Sequence, residues 1–158
     1  MKFAQIVLFA FATLLALPAI SQTKPATSDM EILRQKIKAD KKLVVAANMQ
    51  LTEAEAKTFW PVYDAYQKDL AALNERTAKT IVAYADAYNK GTVADGTAKK
   101  LIGEAIAIEE SEVRMKRSYL PKLEKAVGGM KSARYLQIES KIRAIIKYEL
   151  AANIPLVQ

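Results

Sequence analysis

From Phe59 onward, large or spacing-compatible residues return at steps of four and three: Phe59, Tyr63, Tyr66, Leu70, Leu73, Thr77, Ile81 (one residue late) and Tyr84. That spacing keeps all of them on one stripe of a helix, and it predicts a long helix with a seam. A second series, Ala98, Leu101, Ala105, Ile108, Glu112, Met115, Tyr119 and Leu123, repeats the pattern in reverse. Two antiparallel helices joined by a short loop meet at positions whose numbers have a constant sum. Phe59 with Leu123, Tyr63 with Tyr119, Leu70 with Glu112, Thr77 with Ala105, Ile81 with Leu101 and Tyr84 with Ala98 all give 182, and Tyr66 with Met115 and Leu73 with Ile108 give 181. Pro61 and Pro121 also sum to 182, so both helices are expected to kink at one level.

Local signals set the ends of the helices. Thr52 and Glu55 form a Thr-x-x-Glu capping box, with Leu51 placed to staple onto Ala56, and Asn89-Lys90-Gly91 supplies a stop. Helix three is expected from Thr92, capping with Asp95, to about Val127, where Gly128-Gly129 ends it. Ser28 and Glu31 form another capping box, opening a first helix over about 29–48 with Leu33, Ile37, Leu43, Val44 and Ala47 on its apolar stripe. A fourth is expected over about 131–152, with Tyr135, Ile138, Ile142 and Ile145 on one face and Leu136, Ile146 and Leu150 beside it. No stretch reads as a strand. The expected fold is all-α: a long kinked antiparallel hairpin flanked by a shorter helix at each end. A two-helix pair buries too little alone, so the outer helices or a second subunit, in a homodimer, should cover the rest.

Lys2, an apolar run from Phe3 to Ile20 and the small-residue site Ala19-Ile20-Ser21 form the pattern of a secretory signal peptide, cut between Ser21 and Gln22. The alternative is an uncleaved anchor, for which the run is only just long enough. Pro18 beside the small residues favours cleavage, leaving residues 22–158 as one domain. The chain has no Cys and no His, which removes disulfides, the usual general base and the commonest metal ligand. Catalysis would rest on carboxylates or lysines alone, so no enzyme and no cofactor are expected.

There are 24 Lys and Arg against 17 Asp and Glu, a net charge of +7, and cutting after Ser21 removes Lys2 and leaves +6. Residues 22–50 and 129–158 each carry +3, while 51–91 sum to −1 and 92–128 to +1. The basic surface belongs to the flanks, where Arg34, Lys38, Lys41, Arg134 and Lys141 recur at helical spacing. They are the candidate polypeptide-binding residues, able to attract acidic clients or anionic lipid, against the plainer reading of a solvated helix face. Export and the lack of a recognised module argue against nucleic acid. Glu109, Glu110 and Glu112 could suggest a cation site, but with Arg114, Lys116 and Arg117 beside them a solvated charged face is the expectation. Glu112 falls opposite Leu70 on the seam, which requires either that the seam open there or that its carboxylate reach a basic neighbour.

Leu51-Thr52-Glu53-Ala54-Glu55 resembles the Leu-Thr-x-x-Gln motif of the Spy/CpxP group of exported helical proteins, with Glu55 where the family has Gln. The family's second motif copy has no counterpart in Gly128-Gly129-Met130-Lys131-Ser132-Ala133-Arg134. The run Ala133-Arg134-Tyr135-Leu136-Gln137-Ile138-Glu139 is similar to exported proteins distantly related to that group. The resemblance implies a periplasmic, ATP-independent chaperone that holds non-native polypeptides. It equally implies a regulatory partner of an envelope-stress sensor. A structural envelope spacer is the remaining expectation.

Overall fold

The computed structural model describes residues 40–158. The apolar leader with its Ser21–Gln22 junction, the Ser28/Glu31 capping box, and Arg34 and Lys38 lie outside the described residues. Within them the chain forms three helices and no strand: α1 (40–49), α2 (Glu53–Asn89) and α3 (Asp95–Asn153). The Thr52 capping box closes as its sequence requires. Thr52 Oγ1 accepts from the Glu55 amide at 3.2 Å, and the Thr52 amide donates to Glu55 Oε2 at 2.8 Å. Leu51 is half-buried against the core. α3 departs from expectation: its N-cap is Ala94, and no side chain caps it, so Thr92 does not serve there.

α2 runs through Pro61 and α3 through Pro121 without a break. Both prolines are exposed, as are Lys57 and Arg117 one turn earlier. The carbonyls of Lys57 and Arg117 lose their intrahelical donors on exposed residues, where solvent can take up the missing bond. The interruption comes within the expected Gly128-Gly129 stop, at Gly128, with φ 74° and ψ 166°; Gly129 already belongs to the next helical arm. The two glycines are not a loop between helices, because one residue makes the turn.

Contacts across the helices give their directions. Between α2 and the first arm of α3 (95–127), Thr58 Oγ1 donates to the Ala126 carbonyl at 2.9 Å, the Tyr66 and Tyr119 rings lie 5.2 Å apart, and Arg76 bonds Glu104 at 3.0 Å. The higher the number on α2, the lower its partner's, so the two run antiparallel. These pairs sum to 180–185, around the 181–182 of the sequence seam. Beyond Gly128 the second arm (129–153) turns back along the first, since Arg143 meets Glu112 at 2.6 Å and Lys147 meets Glu109 at 3.0 Å. Tyr84 donates to the Pro155 carbonyl at 2.9 Å, holding the end of this arm against α2.

Burial follows the seam at one end and thins toward the other. Phe59, Tyr63, Tyr66, Leu70 and Leu73, with Ile108, Glu112, Met115, Tyr119 and Leu123, are buried. Thr77, Ile81, Tyr84, Ala98, Leu101 and Ala105 are only half-buried. The core concentrates where α1 and the second arm add Val45, Met49 and Tyr135 to the pair. Tyr135 is its hub, with ring centroids 5.2 Å from Phe59, 5.9 Å from Tyr63 and 5.5 Å from Tyr66 in edge-on geometry.

Two helical faces differ from the sequence pattern. In α1 the buried line is Val45 and Met49, while Leu43, Val44 and Ala47 are exposed. In the second arm the buried residues are Ser132, Tyr135 and Glu139, whereas Ile145 is exposed. Each helix carries apolar residues at two phases, and the polar partners across the bundle, described below, select the one that turns inward.

A residue with a Cβ is strained in Gly128's conformation even though open space surrounds it. Gly128→Ala is expected to lower stability by roughly 1–3 kcal/mol. Gly129→Ala, inside the arm, should be neutral or stabilising by up to about 1 kcal/mol. Urea unfolding of both variants measures the contrast, and equal effects would show that the turn does not depend on Gly128. The tyrosine hydroxyls provide a second contrast. Tyr135 Oη accepts from Gln67 at 3.0 Å, whereas Tyr63 Oη is buried with no partner among the described residues. Tyr135→Phe should cost about 1 kcal/mol, and Tyr63→Phe should cost nothing or stabilise.

Candidate functional site

The five basic candidates separate in space. Arg34 and Lys38 are outside the described residues. Lys41 shares the inward face of α1 with Val45 and Met49, being one and two turns before them. Its ammonium donates to Gln67 Oε1 and Glu139 Oε2, both at 2.8 Å. Glu139 is fully buried, and its other oxygen accepts from Gln67 Nε2 at 2.8 Å; the same amide also reaches Tyr135. A carboxylate removed from water needs a counter-charge and hydrogen bonds, and Lys41 and Gln67 supply them. Lys41 is thus engaged inside the bundle, in a network that joins α1, α2 and the second arm.

Arg134 and Lys141 do come together. With Ala47, Asn48, Gln50, Gln137 and Ile138 they line an open depression of about 340 Å³ between α1 and the second arm. A second depression, of about 590 Å³, shares Gln137 and Lys141 with it and adds Ala133, Leu136 and Ser140. Neither Arg134 nor Lys141 forms an ion pair among the described residues. The depressions offer positive charge and amide groups beside aliphatic surface.

The acidic cluster is dispersed by its own partners. Glu109 pairs with Lys147, Glu110 with Arg114 at 3.3 Å, and Glu112 with both Lys116 and Arg143 at 2.6 Å. Among the described residues no group of three or more acidic side chains could hold a metal ion. The Glu112 puzzle resolves in favour of a basic neighbour. Burial pushes its carboxyl up, but hydrogen bonds from Arg143 and Lys116, helped by their charges, hold it at about 2. Arg143 also donates to Asn74 Oδ1 at 2.6 Å, so this buried group links both arms of α3 to α2. A third tie sits at the α1–α2 turn, where Lys131 Nζ donates to Glu55 and, at 3.1 Å, to the carbonyl of Gln50, whose φ is 48°. The hydrogen bond from Lys131 and those with Thr52 hold the Glu55 carboxyl at about 2.

Sequence reasoning did not single out Glu139, Gln67 or Arg143. The available signal was a Glu one turn after Tyr135, on the face that also carries Ser132. Its partners lie 72 and 98 residues away, at a separation no periodicity reports.

Comparison of the chain with models of known protein families, with curated proteins and with solved structures gave no match.

The Glu112 carboxyl, held near 2 in the folded chain against an ordinary value of 4.5, binds its proton less tightly folded than unfolded. Its contribution to stability is therefore full above about pH 4.5 and is lost as pH falls toward 2. Chemical denaturation between pH 6 and 2 should show this loss, and Glu112→Gln should flatten the acid limb. Arg143→Ala, which leaves the carboxylate buried with Lys116 alone, should cost roughly 3–5 kcal/mol at neutral pH.

Proposed function

We propose that this is a periplasmic, ATP-independent protein of the chaperone type that holds non-native or partner polypeptides without covalent chemistry. The observation that carries the reading is the pair of contiguous depressions where Arg134 and Lys141 stand beside Ala47, Ala133, Leu136 and Ile138. Leu43 and Val44 on α1 and Ile145 and Tyr148 on the second arm are exposed on the two elements that border it. An acidic and apolar segment of an unfolded chain would be drawn by the charge and retained by the aliphatic surface. The resemblance to the Spy/CpxP group and the leader pattern Lys2 to Ser21 support the location. On this reading the protein works as residues 22–158, a long hairpin with kinks at the level of Pro61 and Pro121 and a shorter helix at each end serving as a stiff platform.

The protein isolated from the cell envelope should suppress aggregation of a chemically denatured model client at near-stoichiometric ratio without ATP, and its intact mass should correspond to residues 22–158. Arg134→Gln with Lys141→Gln should slow capture, most at low salt, while helicity stays unchanged. If suppression is absent, the regulatory-partner or spacer function replaces this reading. If it persists unchanged in the double variant, the aliphatic surface alone holds the client.

A further inference from the structure

The first arm of α3 carries an apolar stripe that nothing among the described residues covers. Ile102, Ile106, Val113 and Leu120 are each between 38% and 60% exposed. At 100° per residue they fall within about 40° of one another, a second seam well to the side of the buried one. Charge is arranged around it in a particular order. Three acids, Glu109, Glu110 and Glu112, precede Val113 within four positions, and three bases, Arg114, Lys116 and Arg117, follow it within four. Glu109 and Lys116 flank one edge of the stripe, Glu110 and Arg117 the other.

This order is its own complement when the helix is laid antiparallel against a copy of itself. A two-fold axis through Val113 places Val113 against Val113 and Ile106 against Leu120 of the other copy. Residues on one edge of the stripe meet residues on the same edge of the partner, so Glu110 faces Arg117, twice, while on the other edge Glu109 and Lys116 face one another already paired in the protomer with Lys147 and Glu112. Glu110 is held in the protomer by an exposed pair with Arg114, and Arg117 has no ion pair among the described residues, so the Glu110–Arg117 contact forms at little cost.

We propose that this stripe is a self-association surface, through which two copies of the chain join as an antiparallel, two-fold symmetric helix pair centred on Val113. The seam is short, and the dimer is reversible and concentration-dependent. It leaves the Arg134 and Lys141 depressions on other elements, and it stands whether or not those hold polypeptides.

Sedimentation equilibrium of the protein as isolated from cells, from about 5 to 500 µM, tests the pairing. The wild-type chain should convert from monomer to dimer across this range. Val113→Asp, which sets two carboxylates face to face on the axis, should raise the dissociation constant at least tenfold with helicity unchanged. Glu110→Arg and Arg117→Glu should each do the same alone, since each opposes like charges. An equimolar mixture of these two variants should recover dimer, because the chain with two arginines then meets the chain with two glutamates. Positions 110 and 117 are two turns apart on one helix, so this recovery reports a contact between chains. A wild-type monomer throughout would overturn the proposal and leave the stripe to a different partner. A Val113→Asp dimer as tight as wild type, or a mixture no tighter than its components, would place the interface elsewhere and overturn it equally.

Discussion

The described structure depends on one backbone choice at Gly128. With φ 74° and ψ 166° it adopts a conformation that side-chain-bearing residues avoid, and it folds the second arm of α3 back along the first. Tyr135, Glu139 and Arg143 reach the bundle only because of that reversal. Without it the α2 seam would face only α1 and the first arm, and Phe59, Tyr63 and Tyr66 would lack the ring that meets all three. Ser132 Oγ donates back to the Gly128 carbonyl at 2.7 Å, satisfying an acceptor next to the turn.

Two buried carboxylates then fix how the segments lie against each other. Glu139 draws Lys41 from α1 and Gln67 from α2, and Glu112 draws Arg143 from the second arm, which in turn holds Asn74 of α2. Such groups add little net stability over an apolar core, because desolvation offsets most of the attraction. Their effect is on specificity: a helix rotated or shifted by one residue would leave a buried charge without a partner. Aromatic packing alone would be more permissive, since rings tolerate several edge-on arrangements at similar energy. The engagement of Lys41 shows the consequence for the surface, as one of the basic candidates is consumed by the interior, while Arg134 and Lys141 remain on the open depression.

The exposed apolar residues acquire meaning from the same scaffold. On a chain this helical, single exposed aliphatics are ordinary. The first arm differs because four of them share one narrow stripe and are bracketed by charge that reverses sign about Val113. The depressions beside Arg134 and Lys141 differ because two cations with no ion pair among the described residues stand next to aliphatic surface. Both features require long, well-anchored helices, since a stripe or a shallow depression keeps its shape only if its backbone does.

The sequence by itself determined that the described chain is helical, where α2 begins and ends, and which residues of α2 and the first arm meet near its core, from Phe59 to Leu73 and from Ile108 to Leu123. Those are local properties: a capping box spans four residues, a seam repeats every three or four, and an antiparallel pair with a short loop turns the repeat into a register. The tertiary structure decided the rest. It carried both helices unbroken through Pro61 and Pro121, and of the expected Gly128-Gly129 stop it made Gly128 alone the turn, because that turn requires a positive φ. It turned Val45 and Met49 inward instead of Leu43 and Val44, and Ser132 and Glu139 instead of Ile145, because each helix offered two acceptable apolar phases. The choice between them was made by Lys41, Gln67 and Glu139 meeting from three segments, and charge pairing across such separations leaves no periodic trace in the chain.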